Sequence, residues 1–508
     1  MTRSTHTEVE RKYDVGPDAE APDLVGIGGI SSVGPVEDHR LVAEYYDTES
    51  LDLARLGISL RRRHGGHDDG WHVKVPAAGA GRTEVHLPLG DEGDGIPDDL
   101  RALVRGPSRD RPLVPVARVL SHRLEVSLLG DHGQTLALLS DDRVLAQRHL
   151  TGATVVRWRE WEVELVDGDD RVLDAVEASL LTVGAESAAS RSKIRRALGL
   201  NGGRHRGKDL PEGPNAGQVL SAYLTRYRDR LLVQEVGVRL ASPEAVHQMR
   251  TATRRLRSVL ATYRPLLDDA PGAEHLRSEL QWLGQVLGGP RDAYVLRTHL
   301  DELVDSQSPE LVLGPVRTRI DDELASAHRD GLASAVEVFG TTRYADLVAA
   351  LDRLVESPAY TERADEPADT ALPRRLEREV KRLRRAEGAV PPPGHPERDA
   401  PLHEVRKKAK RLRYAADSAR PVLGEPARRL AKAAKRVQEA LGVRQDAVVA
   451  KERLRELGVQ AHLTGENGFT FGRLHALEDR RADEAELDFE RAWKRVPERH
   501  VRRRLMGG

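Results

Sequence analysis

Charged and apolar residues alternate along the N-terminal part of the chain, up to about residue 195, and alternation with a period of two predicts half-buried β-strands. The clearest run is RWREWEVELVD at residues 157–167, where glutamates alternate with apolar residues. Similar runs occupy residues 5–15, 57–64, 70–76, 82–89, 121–129 and 135–145. Short helices are predicted beside these strands at residues 98–104, 173–183 and 192–198.

Helical periodicity replaces the alternation after a stretch rich in Gly, Pro and charged residues. Residues 201–217 are therefore predicted to link a domain at 5–200 to a helical domain at 218–500. Ser242 is predicted to cap a helix that has Pro243 at its first position. Further helices are predicted at residues 312–336, 345–355, 372–386, 402–419, 427–441, 447–457 and 472–496.

Two helical segments share a basic pattern, VHQMRTATRRLR at residues 246–257 and LHEVRKKAKRLRY at residues 402–414. In each, a histidine is followed by basic residues three, seven and ten positions later, within a stripe about 80° wide on a helix. Like charges at this spacing repel, so the pattern indicates an anion site. The motif LGGPRDA at residues 287–293 recurs as LGVRQDA at residues 441–447, which indicates a duplicated helical unit.

Composition narrows the class of protein. The chain has 508 residues, enough for two or more domains, and is 39% hydrophobic and 32% charged. Its formal net charge is −1, so a polyanion site must come from local concentration of Lys and Arg. The absence of cysteine excludes disulfides, thiolate metal sites and cysteine nucleophiles. No apolar leader or membrane-spanning run is found, so we expect a cytoplasmic protein without membrane association.

Two interpretations of the N-terminal strands are open from their residues alone. A half-buried sheet with a solvated polar face is the ordinary meaning of alternation. Acids and bases occur together on the polar face of almost every strand, however, and this favours a closed antiparallel sheet with a charged interior.

Several motifs resemble those of CYTH domains, which have the triphosphate tunnel fold. TEVERK at residues 7–12 resembles the ExExK motif of that family. LRRR, WHVK, RTE, WEVEL and SRSKIRRAL follow in the family's order, at residues 60–63, 71–74, 82–84, 161–165 and 190–198. The resemblance covers about residues 5–200 and implies an eight-stranded antiparallel β-barrel around a tunnel that binds a triphosphate.

The resemblance also implies roles for particular residues. The implied phosphate-binding cations are Lys12, Arg61, Arg63, Lys74, Arg82, Arg123 and Lys193. The implied ligands of Mg²⁺ or Mn²⁺ are Glu8, Glu10, Asp141, Glu162 and Glu164, with Asp142 as the alternative to Asp141. Glu10 or Glu162 is implied as the catalytic base, with Lys12 as a further catalytic residue. Arginine suits phosphate because it forms bidentate charged hydrogen bonds, and carboxylates are hard oxygen ligands.

The helical part resembles the CHAD domain over about residues 215–500. The resemblance implies an all-α domain of two four-helix halves, and thus an α+β fold class for the whole chain. It also implies that inorganic polyphosphate binds in a basic groove. The implied contacts are His247, Arg250, Arg254, Arg257, His403, Arg406, Lys407, Lys410 and Arg413. Arg255 and Arg411 lie at the edge of the stripe and stay undecided.

Single-stranded nucleic acid and zinc are the other ligands that basic helices with histidines could bind. The aromatic content of 4% favours polyphosphate over single-stranded nucleic acid. Histidines among arginines also suit phosphate better than zinc.

Together these resemblances imply a two-module protein of phosphate metabolism. We expect metal-dependent hydrolysis of inorganic triphosphate or short polyphosphate in the tunnel, and polyphosphate binding or targeting by the helical domain. A cytoplasmic protein associated with polyphosphate granules is the expected setting, with no specific nucleic-acid partner. The alternatives are a polyphosphate-binding protein without catalysis and, with less support, an adenylate cyclase.

Overall fold

The computed structural model describes residues 3–77, 81–90, 95–149, 154–190, 192–200, 210–497, 503 and 505. The chain divides into two compact units, Met1–Arg206 and Gly207–Gly508. Residues 201–209 of the predicted linker lie outside the described residues. Within the described part of the chain, no helix combines the length and the apolar character that crossing a bilayer requires.

The first unit is built on an antiparallel sheet. Its strands are β1 Ser4–Glu8, β2 Glu10–Asp14, β3 Ser32–Val33, β4 Glu37–Asp47, β5 Ser59–His64, β6 Gly70–Pro76, β7 Arg82–Leu87, β8 Val114–Leu129, β9 Thr135–Arg148, β10 Val155–Leu165 and β11 Glu186–Ser187. The helices described in this unit are α1 Asp52–Leu56, α2 Asp98–Leu103, α3 Arg105–Ser108, α4 Asp170–Thr182 and α5 Lys193–Ala197.

Strand β1 at one end of the sheet and β2, the second strand from the other end, are joined through one residue. The strands pair in the order β1-β7-β6-β5-β4-β8-β9-β10-β2-β11, with β3 on β8. Strand β1 pairs with β7 and β2 pairs with β10, yet β1 and β2 are separated only by Val9. The Val9 carbonyl accepts a hydrogen bond of 3.0 Å from the N–H of Leu165. The predicted antiparallel fold is confirmed as a curled sheet, or half-barrel, although the described sheet has 11 strands and not the eight that the resemblance implies.

Strand β10 shows how alternation builds the two faces of this sheet. Trp161 and Val163 are buried in an apolar core with Tyr13. Helix α4 covers the same core with Leu173 and other apolar residues, because its apolar positions fall on one side of the helix. The intervening glutamates point to the opposite face of the strand. That face lines a cavity.

Strand β4 was not predicted, although it spans the 11 residues Glu37–Asp47. Its buried positions alternate as expected for a strand, and Leu41, Ala43 and Tyr45 face the cavity. The residues between them include both Val42 and Glu44, so neither face of the strand is uniformly apolar or polar. Without that contrast the period of two is hard to recognise in the sequence.

The second unit is all-helical in its described part. Its α-helices are α6 Ala216–Arg239, α7 Pro243–Tyr263, α8 Ala270–Val286, α9 Gly288–Asp305, α10 Val316–Val338, α11 Thr342–Glu356, α12 Ala368–Glu387, α13 Asp399–Leu463 and α14 Phe469–Trp493. Short 3₁₀ segments occur at Arg264–Leu266, Pro309–Leu311 and Glu362–Ala364. As predicted, Ser242 caps α7, and its side chain accepts a hydrogen bond from the N–H of Ala245.

Helix α13 spans two predicted breaks. The predicted interruption between residues 441 and 447 is wrong, because the helix continues through Gly442. Gly442 therefore does not end the helix, and a Cβ there would be in ordinary contact with the Arg406 guanidinium, at 3.6 Å. The predicted break between residues 419 and 427 is confirmed, because Gly424 interrupts the helix with a non-helical φ of 54° and ψ of −130°.

Candidate functional site

The concave face of the first unit encloses a cavity of about 310 Å³. Charged side chains from most of the strands line it, and helix α5 adds one lysine. All seven cations predicted to bind phosphate lie on its wall: Lys12, Arg61, Arg63, Lys74, Arg82, Arg123 and Lys193. Four of the five predicted metal ligands lie there too: Glu8, Glu10, Glu162 and Glu164.

Lys12 and Glu162 form the centre of one ionic network in the cavity. The Nζ of Lys12 lies 2.9 Å from Glu10 and also pairs with Glu162. Burial disfavours a charged lysine, but these two carboxylates outweigh burial and raise the pKa of Lys12 above its usual value. Burial likewise opposes ionisation of Glu162, while Lys12, Lys193 and Arg123 hold its pKa well below the usual range. Both groups are therefore charged at neutral pH.

Helix α5 delivers Lys193 to the same network. Its Nζ lies 2.8 Å from Asp142 and 2.7 Å from Glu160, and it also pairs with Glu162. One ammonium group thus stands among three carboxylates that are close enough together to hold a metal ion. Lys193 already supplies positive charge there.

Asp142, and not Asp141, belongs to the cavity network. Arg123 donates hydrogen bonds of 2.9 and 2.7 Å to Asp142, which is fully buried. Asp141 instead accepts hydrogen bonds of 2.8 and 2.7 Å from Arg159, which is not a cavity residue; neither aspartate lines the cavity itself. The placement predicted for Asp141 is therefore corrected, because successive residues of a strand point to opposite faces.

Glu84 is a cavity residue that the sequence analysis did not assign to the site. It is 3% exposed and lies 2.9 Å from Nδ1 of His72, 3.6 Å from Lys74 and 3.7 Å from Arg61. Burial opposes its ionisation, but Lys74 and His72 hold the pKa of Glu84 far below its usual value. The sequence did contain evidence for this position. Glu84 is two residues from Arg82 on β7, so both side chains point to the same face of the sheet.

The surroundings of Glu164 bear on whether the cavity suits a divalent cation. Within the described part of the chain, no ion pair involves Glu164. Burial and the neighbouring carboxylate of Glu8 raise the pKa of Glu164 to about 7, with smaller contributions from Glu10 and Glu162. An uncompensated carboxylate suits a hard cation such as Mg²⁺ or Mn²⁺. Among the described residues of this wall and its surroundings, the possible ligand atoms that lie close together belong to His6, Glu8 and Glu84 and to Asp142, Glu160 and Glu162. The set Glu8, Glu10, Glu162 and Glu164 implied by the resemblance therefore stays a prediction for a bound cation.

In the helical unit, α7 and α13 bring basic residues of the two repeats together. Burial and the charges of Arg406, Arg254 and Arg250 lower the pKa of Lys410 to about 7. Burial also lowers the pKa of Arg254, with further contributions from Arg250 and Arg406. Cations from both helices are therefore close enough to repel one another. This cluster of Arg250, Arg254, Arg406 and Lys410 is called the basic groove below.

The last arginine of each repeat makes an equivalent contact with a glutamine. Arg257 donates to Gln281 at 2.7 Å, and Arg413 donates to Gln438 at 3.0 Å. The repeated LGGPRDA and LGVRQDA segments also face the basic helices. Asp292 accepts a 3.2 Å bond from Arg250, and Gln445 is hydrogen-bonded to His403 at 3.1 Å.

His247 and Lys407 differ in their surroundings. Burial, and next the charge of Arg291, lower the pKa of His247. Lys407 has a side chain that is 57% exposed and pairs with Glu404 at 2.7 Å. Lys407 is therefore the predicted contact with the least support in the structure.

The undecided pair Arg255 and Arg411 makes internal contacts. Arg255 bonds Asp417 and the hydroxyl of Tyr223, both at 3.0 Å. Arg411 pairs with Glu379 at 2.8 Å and lines a second cavity of about 300 Å³. The other arginines on this second cavity are Arg264, Arg277, Arg375, Arg378 and Arg382. The sequence analysis missed this set, although α12 carries the basic run RRLEREVKRLRR.

Comparison with known proteins defines the class of protein. A CYTH domain model matches residues 6–198 and a CHAD domain model matches residues 222–455. Uncharacterized proteins of two Mycobacterium tuberculosis strains are 36% identical over 505 residues, which covers 97% of this chain and 96% of each relative. The chain therefore belongs to the proteins in which a CYTH domain is followed by a CHAD domain.

Solved structures resemble the separate parts of the chain. PptA from Streptomyces chartreusis is 22% identical, with a TM-score of 0.47 over 55% of this chain and 99% of that protein. The CHAD domain from the plant Ricinus communis is 23% identical, with a TM-score of 0.45 over 58% of this chain and 98% of that domain. A putative adenylyl cyclase from Hippeastrum, whose title reports a dominant triphosphatase activity, is 15% identical with a TM-score of 0.24, over 38% of this chain and 95% of that protein.

Proposed function

We propose that the CYTH domain hydrolyses inorganic triphosphate or short polyphosphate with Mg²⁺ or Mn²⁺, and that the CHAD domain binds longer polyphosphate. One observation carries the first part: seven lysines and arginines and seven carboxylates share the wall of one cavity. Such a wall can neutralise a condensed phosphate from several sides while carboxylates hold a cation beside it. The match of residues 6–198 to the CYTH family, whose members are metal-dependent, supports the cation.

The cavity favours an inorganic chain over a nucleotide. Apart from imidazoles, Tyr45 provides the one aromatic ring among the described residues that line it. Arg61 donates a long hydrogen bond of 3.4 Å to the Tyr45 hydroxyl, so this ring is engaged with a phosphate-binding residue. The described wall therefore offers few ring surfaces for a base, compared with its many charged groups for phosphate oxygens.

Substrate binding would rearrange the ionic network. Arg61, Arg63 and Arg123 present guanidinium groups that suit phosphate oxygens because they donate paired hydrogen bonds. Phosphate oxygens would compete with Glu10 and Glu162 for Lys12, and the released carboxylates would then face the reacting phosphoryl group. A bound divalent cation would withdraw charge from that group. Glu10 and Glu162 remain the proposed bases, and Lys12 is proposed to orient them and to contact the substrate.

The CHAD proposal rests on the basic groove. Mutual repulsion among Arg250, Arg254, Arg406 and Lys410 is relieved when a polyanion binds between them. The second cavity, with its six arginines around Glu379, adds positive charge to the same domain. A uniform chain of phosphates offers no sequence, so contacts to oxygens alone suffice for recognition.

Non-catalytic binding is the second candidate, and one observation favours it. Lys193 already neutralises Asp142, Glu160 and Glu162, so part of the acidic set needs no metal to be stable. Phosphate release from tripolyphosphate, measured with and without Mg²⁺ or Mn²⁺, separates the two. The hydrolase proposal predicts release that Glu162→Gln abolishes while long-chain polyphosphate still binds. Equal rates with and without protein would leave only the binding function.

A further inference from the structure

The open end of the CYTH cavity carries two histidines and a glutamate that the proposed function does not use. His39 and His67 line the cavity. The side chain of His67 is 78% exposed and that of Glu37 is 47% exposed, whereas that of His39 is 14% exposed. The two histidines therefore stand where the cavity wall meets solvent, and Glu37 contacts both of them.

The possible metal-ligand atoms of these three residues lie close together. Oε2 of Glu37 lies 2.7 Å from Nε2 of His67 and 3.4 Å from Nε2 of His39. One donor atom from each residue lies within 4.8 Å of the other two. Ligand atoms around a tetrahedral Zn²⁺ ion lie about 3.3 Å apart, given metal–ligand distances of about 2.0 to 2.2 Å. Side-chain adjustments of less than about 1 Å would therefore create this geometry.

The backbone fixes this arrangement. Glu37 and His39 are two residues apart on β4 and so face the same side. His67 lies in the turn between β5 and β6, which folds back over β4. Gly65 permits that approach because its φ is 83° and a Cβ there would lie 2.1 Å from the carbonyl oxygen of Arg40.

A second feature points independently to a cation. Glu37 is directly opposite Glu125 in the register of β4 and β8, and like charges in this position destabilise a sheet. Arg123 compensates Glu125 at 3.4 Å. Among the described residues, Glu37 has only His39 and His67 as ion-pair partners. A cation at this point would relieve the repulsion.

We propose that Glu37, His39 and His67 form a binding site for a transition-metal ion of the zinc class at the open end of the cavity. Two imidazoles and one carboxylate suit Zn²⁺ or Co²⁺, whereas Mg²⁺ prefers oxygen ligands. The site is thus chemically distinct from the carboxylates proposed to hold Mg²⁺ or Mn²⁺. Three protein ligands leave a fourth position for water or for an oxygen of a phosphate chain.

The test uses the full-length protein and metal alone, so it does not depend on the proposed hydrolase activity. Zn²⁺ is titrated calorimetrically in excess Mg²⁺, and Co²⁺ binding is followed by its visible absorption. We expect His39→Ala, His67→Ala and Glu37→Gln each to remove one binding event or to weaken it by at least about tenfold. His122→Ala is the matched control. His122 on β8 pairs with Asp38 on β4 at 2.8 Å and is not part of the triad, so this variant should bind zinc as wild type does.

Circular dichroism of each variant confirms that it is folded before binding is compared. If the three variants retain the stoichiometry and affinity of wild type, zinc binds elsewhere or not at all, and the proposal is overturned. If His122→Ala loses the same event as the three variants, the loss is not specific to this triad, which also contradicts the proposal.

Discussion

At the scale of single residues, the charges in the CYTH cavity hold one another in place. Lys12, Arg123 and Lys193 all pair with Glu162, and removing one member of such a buried network leaves its partners uncompensated. Glu164 differs because it is surrounded by carboxylates and its pKa is raised to about 7. Glu162 and Glu164 should therefore respond in opposite directions when the pH is changed or a metal ion is added.

Glu164→Gln should remove a pH-dependent loss of stability from the metal-free protein. The pKa of Glu164 rises from 4.5 to about 7 on folding, so its contribution to stability is present below pH 4.5 and is lost as the pH rises through 7. We expect the stability of wild type to fall relative to the variant by on the order of 2 kcal/mol between about pH 5 and pH 8. Calorimetric melting in the presence of a chelator measures this difference. Parallel profiles for the two proteins would contradict the assignment.

Lys410 should make polyphosphate binding depend on pH. Its pKa is lowered to about 7 in the free protein by burial and neighbouring arginines, and a bound polyanion would restore the pKa toward its usual value. Binding should then take up a proton above about pH 7, and the affinity should decrease as the pH rises. Lys410→Arg should flatten this dependence, because arginine stays protonated. Calorimetry in buffers of different ionisation enthalpy measures the proton uptake, and its absence would exclude Lys410 from the site.

At the scale of elements, uniform patterns were predictable from the sequence and mixed ones were not. Strand β10 was predicted because its glutamates and apolar residues alternate strictly, whereas β4 was missed because its faces are mixed. The Asp141–Asp142 pair shows a further limit. Adjacent residues of a strand face opposite sides, and only the register with β8 assigns Asp142 to Arg123. The approach of α7 to α13 likewise depends on tertiary packing, although the basic stripe of each helix was visible in the sequence.

The bend in α13 should depend on Gly424. Its φ of 54° and ψ of −130° are accessible mainly to glycine, so Gly424→Ala should cost about 1–3 kcal/mol of stability. An added Cβ would meet nothing within 4 Å, so the cost would come from the backbone. Gly289→Ala is the control, because that helical glycine also has open space around it and alanine favours a helix. Equal chemical denaturation midpoints for the two variants would contradict this explanation of the bend.

At the scale of the whole molecule, a chain with a formal net charge of −1 concentrates positive charge in two separate units. The cavity of the first unit pairs its cations with carboxylates, which suits a small substrate together with a metal ion. The basic groove of the second unit has fewer counter-charges, which suits a long polyanion whose binding weakens with salt. The two units should therefore lose function independently when mutated.

The double variant Arg250→Ala, Arg406→Ala should lose retention of long-chain polyphosphate and show a smaller dependence of affinity on salt, because two phosphate contacts are removed. Lys407→Ala is the matched control, because Lys407 is exposed and paired with Glu404, and it should change affinity by less than about twofold. Tripolyphosphate hydrolysis should be unchanged in both variants. Filter binding over a range of salt concentrations tests this, and equal loss in both variants would mean that the groove is wrongly assigned.

The most direct test of the account compares neighbouring arginines of β5 in the release of phosphate from tripolyphosphate with Mg²⁺ or Mn²⁺. Arg61 lies on the cavity wall, whereas Arg62, the next residue along the strand, does not. We predict that Arg61→Ala lowers the rate by at least about a hundredfold, as expected when a group that stabilises transition-state charge is removed. Arg62→Ala should stay within about threefold of wild type. Similar rates for the two variants, or no metal-dependent release by folded wild type, would contradict the claim that the cavity acts on condensed phosphate.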